Sequence, residues 1–224
     1  MKRYLLASVL AFSAVGCVEP EQEILISFAR PLETDEETGA CTPSEDFQTG
    51  GGSLDISGSG SYLLGFDLTS KLERVSETVG GREVANASRN DITITEEVLS
   101  YVSTPDLSLE DETVSTRFLL TSGENDEAYN ITDLIGPKAQ VVLREKIAPG
   151  SAVELKVTLK YQGTIASGGA AESNEITFPI SVFSSGFTGC TAPAVLIRNG
   201  PCGRSGGQDG TSPTCVAPVP EAET

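Results

Sequence analysis

Residues Val153–Gln162, VELKVTLKYQ, alternate apolar and polar side chains without a break. The apolar side chains stand at every second position, namely Val153, Leu155, Val157, Leu159 and Tyr161. Successive side chains of a strand point to opposite faces of its sheet. This stretch therefore predicts a strand with one face in a core and the other in water. Pro149-Gly150, directly before it, is typical of a turn.

The same period of two recurs on both sides of this stretch. Further strands are predicted at residues 23–29, 53–57, 62–69, 91–102, 114–120 and 176–182. Residues 139–147 fit a strand or a short helix, and we interpret them as a strand. We expect loops at residues 30–52 and 73–89. Pro179 cannot donate a backbone hydrogen bond, so we expect its strand to lie at a sheet edge.

About seven or eight short strands separated by turn residues indicate an all-β fold. The simplest architecture is a single antiparallel β-sandwich of the immunoglobulin or fibronectin type, whose sheets each bury one face. A small barrel is the structural alternative. Residues 184–224 are rich in Gly, Pro and Cys, and we expect an irregular tail tied by disulfides.

The N-terminus has the pattern of an export signal. Lys2 and Arg3 precede an apolar run of about a dozen residues, shorter than the roughly 20 that a membrane-spanning helix needs. The run ends in Ala14-Val15-Gly16-Cys17, which resembles the lipobox of bacterial lipoproteins. The resemblance implies cleavage before Cys17, lipidation of Cys17 and anchoring in a membrane. The alternative is an ordinary secretory signal with Cys17 unmodified.

Charge and composition narrow the class of partner. The formal net charge is −17, and removing Lys2 and Arg3 with the signal lowers it to −19. Such an acidic surface disfavours nucleic acid and anionic lipid, because both bind through Lys and Arg. We therefore predict no nucleic-acid partner.

The cysteines are odd in number, five in all, and four remain if Cys17 carries lipid. An exported protein can form disulfides. We predict a local bond, Cys202–Cys215, and a long-range bond, Cys41–Cys190. Four cysteines allow three pairings, and the sequence does not choose among them.

The sequence offers little for catalysis. It contains no His, which excludes Ser-His-Asp and Cys-His sites and a His-bound metal. We predict no enzyme, no cofactor and no small-molecule substrate. Two acidic clusters offer oxygen ligands for Ca²⁺, but neither has the spacing of a defined calcium loop, and we interpret them as solvated loops. They are Asp106 with Glu110, Asp111 and Glu112, and Glu124 with Asp126 and Glu127.

Four short stretches extend the resemblance beyond the lipobox, namely Gly52–Ile56, Tyr62–Phe66, Glu172–Pro179 and Cys202 followed by Gly207–Gly210. Together they resemble a family of Cys-containing bacterial outer-membrane lipoproteins of unassigned function. The resemblance implies an outer-membrane location in the cell envelope and brings no catalytic residue.

The chain is thus divided into four parts. Residues 1–16 are a cleaved signal, 17–52 the lipidated Cys, tether and acidic loop, 53–183 the sandwich, and 184–224 the tail. We predict a non-catalytic display or interaction module that contacts an envelope protein through its loops or the Pro179 edge. A carbohydrate-binding module is the alternative. For that role Tyr101 and Tyr129 are the candidate platforms, since Tyr62 and Tyr161 are predicted to point inward.

Overall fold

A computed structural model describes residues 22–35, 37–123, 128–198 and 200–217, without the side chains of residues 85–87. The strands are β1 Ile24–Arg30, β2 Leu32–Thr34, β3 Cys41–Pro43, β4 Gly52–Asp55, β5 Leu63–Ser70, β6 Ser76–Val79, β7 Arg82–Ser88, β8 Ile92–Thr104, β9 Glu112–Leu120, β10 Ala128–Asp133, β11 Ala152–Ile165, β12 Ala170–Glu172, β13 Ile176–Phe183, β14 Val195–Leu196 and β15 Cys215–Val216. One helix, α1, covers Pro137–Lys146, and a 3₁₀ turn covers Pro201–Gly203.

Two sheets share one core. The smaller has the order β1-β5-β10, and the larger has the order β4-β13-β11-β8-β9, with β12 paired to β11. The pairs are antiparallel except for β4, which runs parallel to β13. The predicted all-β class is confirmed, whereas the wholly antiparallel arrangement is wrong at this one pair.

The strand predicted from the alternation at residues 153–162 is confirmed as part of β11. Its five apolar side chains are buried, and the polar residues between them are exposed or half-buried. β8 and β13 flank β11 along most of its length. The stretch with regular alternation thus forms the central strand of the larger sheet.

Strand β5 is buried on both faces, which simple alternation does not predict. Leu64, Phe66 and Leu68 face the core between the sheets and are fully buried. The β2–β3 hairpin covers the other face, and a Cβ at Gly65 would lie 2.7 Å from Pro43 Cγ. Residues 30–52 were expected to be a loop, and this expectation is wrong because the segment packs on β5 and supplies β2, β3 and the start of β4.

The expected strand at residues 139–147 is wrong, because Pro137–Lys146 is a helix. Pro137 stands in the first turn, where its missing N–H costs nothing. Ala139, Leu143 and Ile147 are buried at a spacing of four residues, which places them on one face of a helix. The apolar residues of this segment therefore follow the helical period.

The expected loop at residues 73–89 is also wrong, because it forms the hairpin β6–β7. Gly80 and Gly81 make its two-residue turn with φ angles of 60° and 79°. Two positive φ angles in succession suit glycine and give a turn whose twist matches that of the flanking strands.

The four tail and loop cysteines form two disulfides, but the predicted pairing is wrong. The bonds are Cys41–Cys202 and Cys190–Cys215, with Cα–Cα distances of 4.9 and 5.7 Å. The β14–β15 pair places Leu196 opposite Cys215 and so brings Cys215 back toward Cys190. The 3₁₀ turn packs against β2 and β3, which sets Cys202 beside Cys41.

Candidate functional site

A groove of about 450 Å³ opens where the two sheets diverge. Its walls are Ser27–Ala29 of β1, the loop Phe47–Gly51 and Ile176–Pro179 of β13. The groove is lined by aromatic, aliphatic and uncharged polar groups, without a charged side chain. It is therefore suited to an apolar group rather than to an ion.

A bulge in β1 creates one wall of the groove. The register with β5 shifts between Ile26 and Ala29, and Phe28 points outward with 48% of its surface exposed. Bulges redirect side chains in this way by adding a residue to one strand of a pair. Without the bulge the Phe28 side chain would point in another direction. The bulge therefore exposes this apolar residue to solvent.

Asn174 closes the seam between the sheets just before the groove begins. Ile26 N donates to Asn174 Oδ1 at 2.7 Å, and Asn174 Nδ2 donates to Ile26 O at 3.2 Å. The amide of one side chain thereby takes the place of a neighbouring strand. Beyond this point the seam opens into the groove.

Phe28 and Phe47 form an exposed aromatic pair at the mouth of the groove. Their ring centroids are 4.6 Å apart, and Phe47 is 49% exposed. The Arg30 guanidinium lies 4.9 Å from the centroid of the Phe47 ring, and its Nε donates to Asp67 Oδ2 at 2.6 Å. The cation–π contact and the ion pair hold the second ring in place.

The Pro179 edge predicted from the sequence is half confirmed. β4 pairs with residues 180–183 of β13 and covers that half. Within the described part of the chain, residues 176–179 have only β11 as a strand neighbour, so no strand pairs with their other side. Gly51 lies against Pro179, where a Cβ would be 2.9 Å from the Pro179 carbonyl oxygen. The open half of β13 is one wall of the groove.

In the first acidic cluster, Glu112 serves the helix. Its side chain is buried and accepts hydrogen bonds from the backbone N–H groups of Lys138 at 2.9 Å and Ala139 at 2.8 Å. Asp106 caps its own turn by accepting from Ser108 N. Glu110 and Asp111 are exposed. The loop is thus partly a helix cap rather than a wholly solvated loop.

The second cluster, Glu124 with Asp126 and Glu127, lies outside the described residues, as does Cys17. In the described ranges no group of three or more Cys, Asp or Glu is arranged to hold a metal ion. Among the same residues, no helix has the length and apolarity needed to cross a membrane.

The tyrosines predicted to point inward do so. Tyr62 and Tyr161 are fully buried. Tyr101, a candidate carbohydrate platform, is also buried, and its hydroxyl accepts a hydrogen bond from Gly136 N at 2.9 Å. Tyr129 remains exposed. Tyr101 is therefore excluded as a stacking surface, because its ring does not reach solvent.

A buried carboxyl group, Glu97, joins three strands in the core. Asn130 Nδ2 donates to Glu97 Oε1 at 2.7 Å, and the Thr132 and Tyr161 hydroxyls are 2.6 Å apart beside it. Burial raises the pKa of Glu97 to about 7, partly offset by hydrogen bonds from Asn130, Thr132 and Thr116. The sequence analysis did not single out Glu97, although an acidic residue in a predicted strand is a visible signal. The group lies inside the core and does not line the groove.

Comparisons with family models, with curated proteins and with solved structures found no match.

Proposed function

We propose that the chain is a lipid-anchored protein of the bacterial envelope, in the outer membrane, whose body is a non-catalytic interaction module. The observation that carries the proposal is the groove between β1 and β13. It combines an exposed aromatic pair with a half-strand, residues 176–179, that no strand pairs with on its groove side, although Pro179 has no N–H to donate there. A strand added to such an edge gains main-chain hydrogen bonds, while pockets select its side chains.

The partner we propose is an extended segment of another envelope protein. It would lie along residues 176–179 and place an apolar side chain against Phe28 and Phe47. Exposed Glu45 and Asp46 precede Phe47, and exposed Glu175 precedes Ile176. These acidic groups, together with the net charge, favour a segment in which Lys or Arg flanks the apolar residue.

Site-specific photocrosslinking in whole cells tests the docking surface. A benzophenone amino acid replaces Phe47 in one strain and Leu119 in another, because Leu119 is at least as exposed as Phe47 and lies on β9 at the outer face of the larger sheet. We expect a discrete crosslink from position 47 that mass spectrometry assigns to an envelope protein. The Phe28→Ser change should abolish it. No crosslink at position 47, or equal crosslinks at both positions, would contradict the proposal.

The anchor is tested separately. Cys17 should incorporate labelled palmitate, and the Cys17→Ser form should leave the membrane fraction. One acyl chain alone binds a membrane marginally and reversibly, so stable anchoring implies more than one chain on this residue. If the Cys17→Ser form stays in the membrane fraction, the proposed anchor is wrong. The proposed docking surface is not affected by that result.

The finer architecture is also a proposal. A core shared by two sheets supports a single sandwich of the immunoglobulin or fibronectin type, with a small barrel as the alternative. The polar bridge from Asn130 of β10 to Glu97 of β8, which joins the two sheets face to face, favours the sandwich. An experimental structure with the strands closed into one continuous sheet would overturn it.

The carbohydrate-binding alternative depends on exposed rings. Among the described residues, Tyr129 and the pair Phe28–Phe47 are the exposed aromatic groups that could stack on a sugar. Binding on a glycan array that is lost on Phe47→Ser, with no protein crosslink, would favour this alternative.

A further inference from the structure

The loop Gly207–Gly210 of the tail acts as a strand neighbour for β5. Gln208 is 4% exposed and meets the start of β5 through its side chain. Leu63 N donates to Gln208 Oε1 at 2.9 Å, and Gln208 Nε2 donates to Leu63 O at 2.8 Å. One amide side chain therefore satisfies both backbone groups of a residue at a sheet end.

The same loop covers the outer edge of β4. Asp55 N donates to Gly207 O at 2.7 Å, and Asp209 N donates to Ser53 O at 2.8 Å. Ser53 N donates to Asp209 Oδ1 at 2.9 Å. An edge strand otherwise presents unpaired backbone groups that attract other chains. The loop closes the edge of the larger sheet and the end of the smaller one together.

The covalent hold on this loop is the bond Cys41–Cys202, five residues before Gly207. Cys190–Cys215 joins the tail to itself. Of these two bonds, only Cys41–Cys202 ties the segment after β13 to the N-terminal hairpin β2–β3. Both of its cysteines are half-buried, so a small reductant can approach.

We propose that residues 200–217 are a disulfide-latched strap, and that opening Cys41–Cys202 releases the strap and uncovers the edge of β4. The reductant is a dithiol. Its first thiolate attacks one sulfur of the latch, which forms a mixed disulfide and expels the other sulfur as a thiolate. Its second thiolate attacks the reductant's own sulfur in the mixed disulfide, expels the second protein sulfur as a thiolate and closes the reductant's disulfide, and the two protein thiolates take up the protons that the dithiol has lost. Two electrons pass to the protein, which ends with two thiols, and the reductant leaves as a disulfide.

The latch also bears on the groove. Residues 44–51, which include the groove wall Phe47–Gly51, lie between Cys41 and the strap-covered strand β4. If Cys41 and β4 were both released, the groove wall Phe47–Gly51 would be held less firmly. The effect of this loosening on partner binding rests on the proposed docking function, whereas release of the strap does not.

Hydrogen exchange of three amides tests the strap. Ser53, Asp55 and Leu63 each donate their N–H to an acceptor in the loop Gly207–Gly210. The experiment uses the folded oxidised protein carrying Cys17→Ser, Cys190→Ser and Cys215→Ser, so that only the latch can open. On adding dithiothreitol, we expect exchange of these three amides to rise on the order of tenfold or more, because local opening releases them without global unfolding.

The amide of Leu159, in the middle of β11, is the internal reference. Its exchange rate should not change when the latch opens. Equal acceleration at Leu159 would show that the bond stabilises the whole fold rather than a strap, and unchanged rates at all four amides would show that the loop stays in place without it. Either result overturns the proposal. The double variant Cys41→Ser/Cys202→Ser should reproduce the reduced pattern without dithiothreitol.

Discussion

The larger sheet and the C-terminal strap are held to the body in different ways. β11 pairs along its length with β8 and β13, so a regular backbone ladder joins residues whose apolar side chains are buried at every second position. The strap is attached through a short set of contacts, namely two backbone hydrogen bonds with β4, the Gln208 amide, the Asp209 carboxylate and one disulfide. A ladder spreads its stability over many residues, whereas the strap concentrates it in a few.

Several side chains of the described residues take the place of a backbone neighbour, among them Gln208, Asn174 and Glu112. Gln208 does so for Leu63, Asn174 for Ile26, and Glu112 for the first turn of α1. Gln208 serves the first residue of β5 and Glu112 the first turn of α1, whose N–H groups have no partner within the helix, whereas Asn174 serves Ile26 on the edge of β1 beside the bulge. Changes in the ladder region and changes at these three side chains should therefore differ in size and in how far they spread.

The largest effect is expected in the ladder region. Leu159→Ala removes a fully buried side chain from the middle of β11 and should lower the free energy of unfolding by about 3 kcal/mol. Urea denaturation followed by circular dichroism measures it. Lys156→Ala on the exposed face of the same strand is the control, and its effect should stay within about 0.5 kcal/mol. Equal losses from the two changes would mean that β11 does not face a core.

The next largest effect is expected at Glu97, which lies between the two sheets and makes the free energy of unfolding depend on pH. The folded protein holds the Glu97 proton more tightly than the unfolded chain, because its pKa is about 7 instead of about 4.5. The stability that this provides is complete below pH 4.5 and is lost as the pH rises through 7. Glu97→Gln cannot ionise, so at pH 8 it should be more stable than the parent by about 2 to 3 kcal/mol.

The test is a series of urea unfolding curves between pH 4.5 and 8. The difference between Glu97→Gln and the parent should grow with pH. Asp133, whose pKa is also raised by burial, and the Tyr161 hydroxyl lie close to Glu97 and are unchanged in the variant. Glu154→Gln, on the exposed face of β11, should show no such growth. A pH-independent difference would place Glu97 in contact with water.

The ladder region is also the part that the sequence predicts well. A period of two in β11 and β13 directly reports which side chains are buried, because the two faces of a strand meet different surroundings. The helix at Pro137–Lys146 was missed although Ala139, Leu143 and Ile147 follow the helical period, because part of its N-terminal cap comes from Glu112, 25 residues before the helix begins. The groove was missed because Phe28 faces out only through a bulge, and no periodicity shows an inserted residue. The disulfide pairing was missed because it depends on where the strap lies. Contacts of single side chains such as Gln208 fix that position, and they leave no pattern in the sequence.

A moderate effect is expected from the strap. Gln208→Ala leaves the N–H and C=O of Leu63 without their partners and should cost about 2 kcal/mol. The matched change Thr214→Ala is in the same tail at an exposed position and should be neutral. Thermal unfolding measures both. A neutral Gln208→Ala would mean that water replaces the side chain at no cost and that the strap does not contribute to stability.

The smallest effect is expected at the helix N-terminus. Glu112→Ala removes the acceptor for two backbone N–H groups in the first turn of α1 and should lower stability by about 1 kcal/mol, the usual size for a lost cap. Glu110→Ala removes an equal charge from the same acidic cluster at an exposed position, so comparison of the two separates capping from charge. If both changes had the same small effect in urea denaturation, repulsion within the cluster would outweigh the cap. Because the Glu112 carboxylate is acceptor-only and lies against the positive end of the helix, Glu112→Gln should recover only part of the loss.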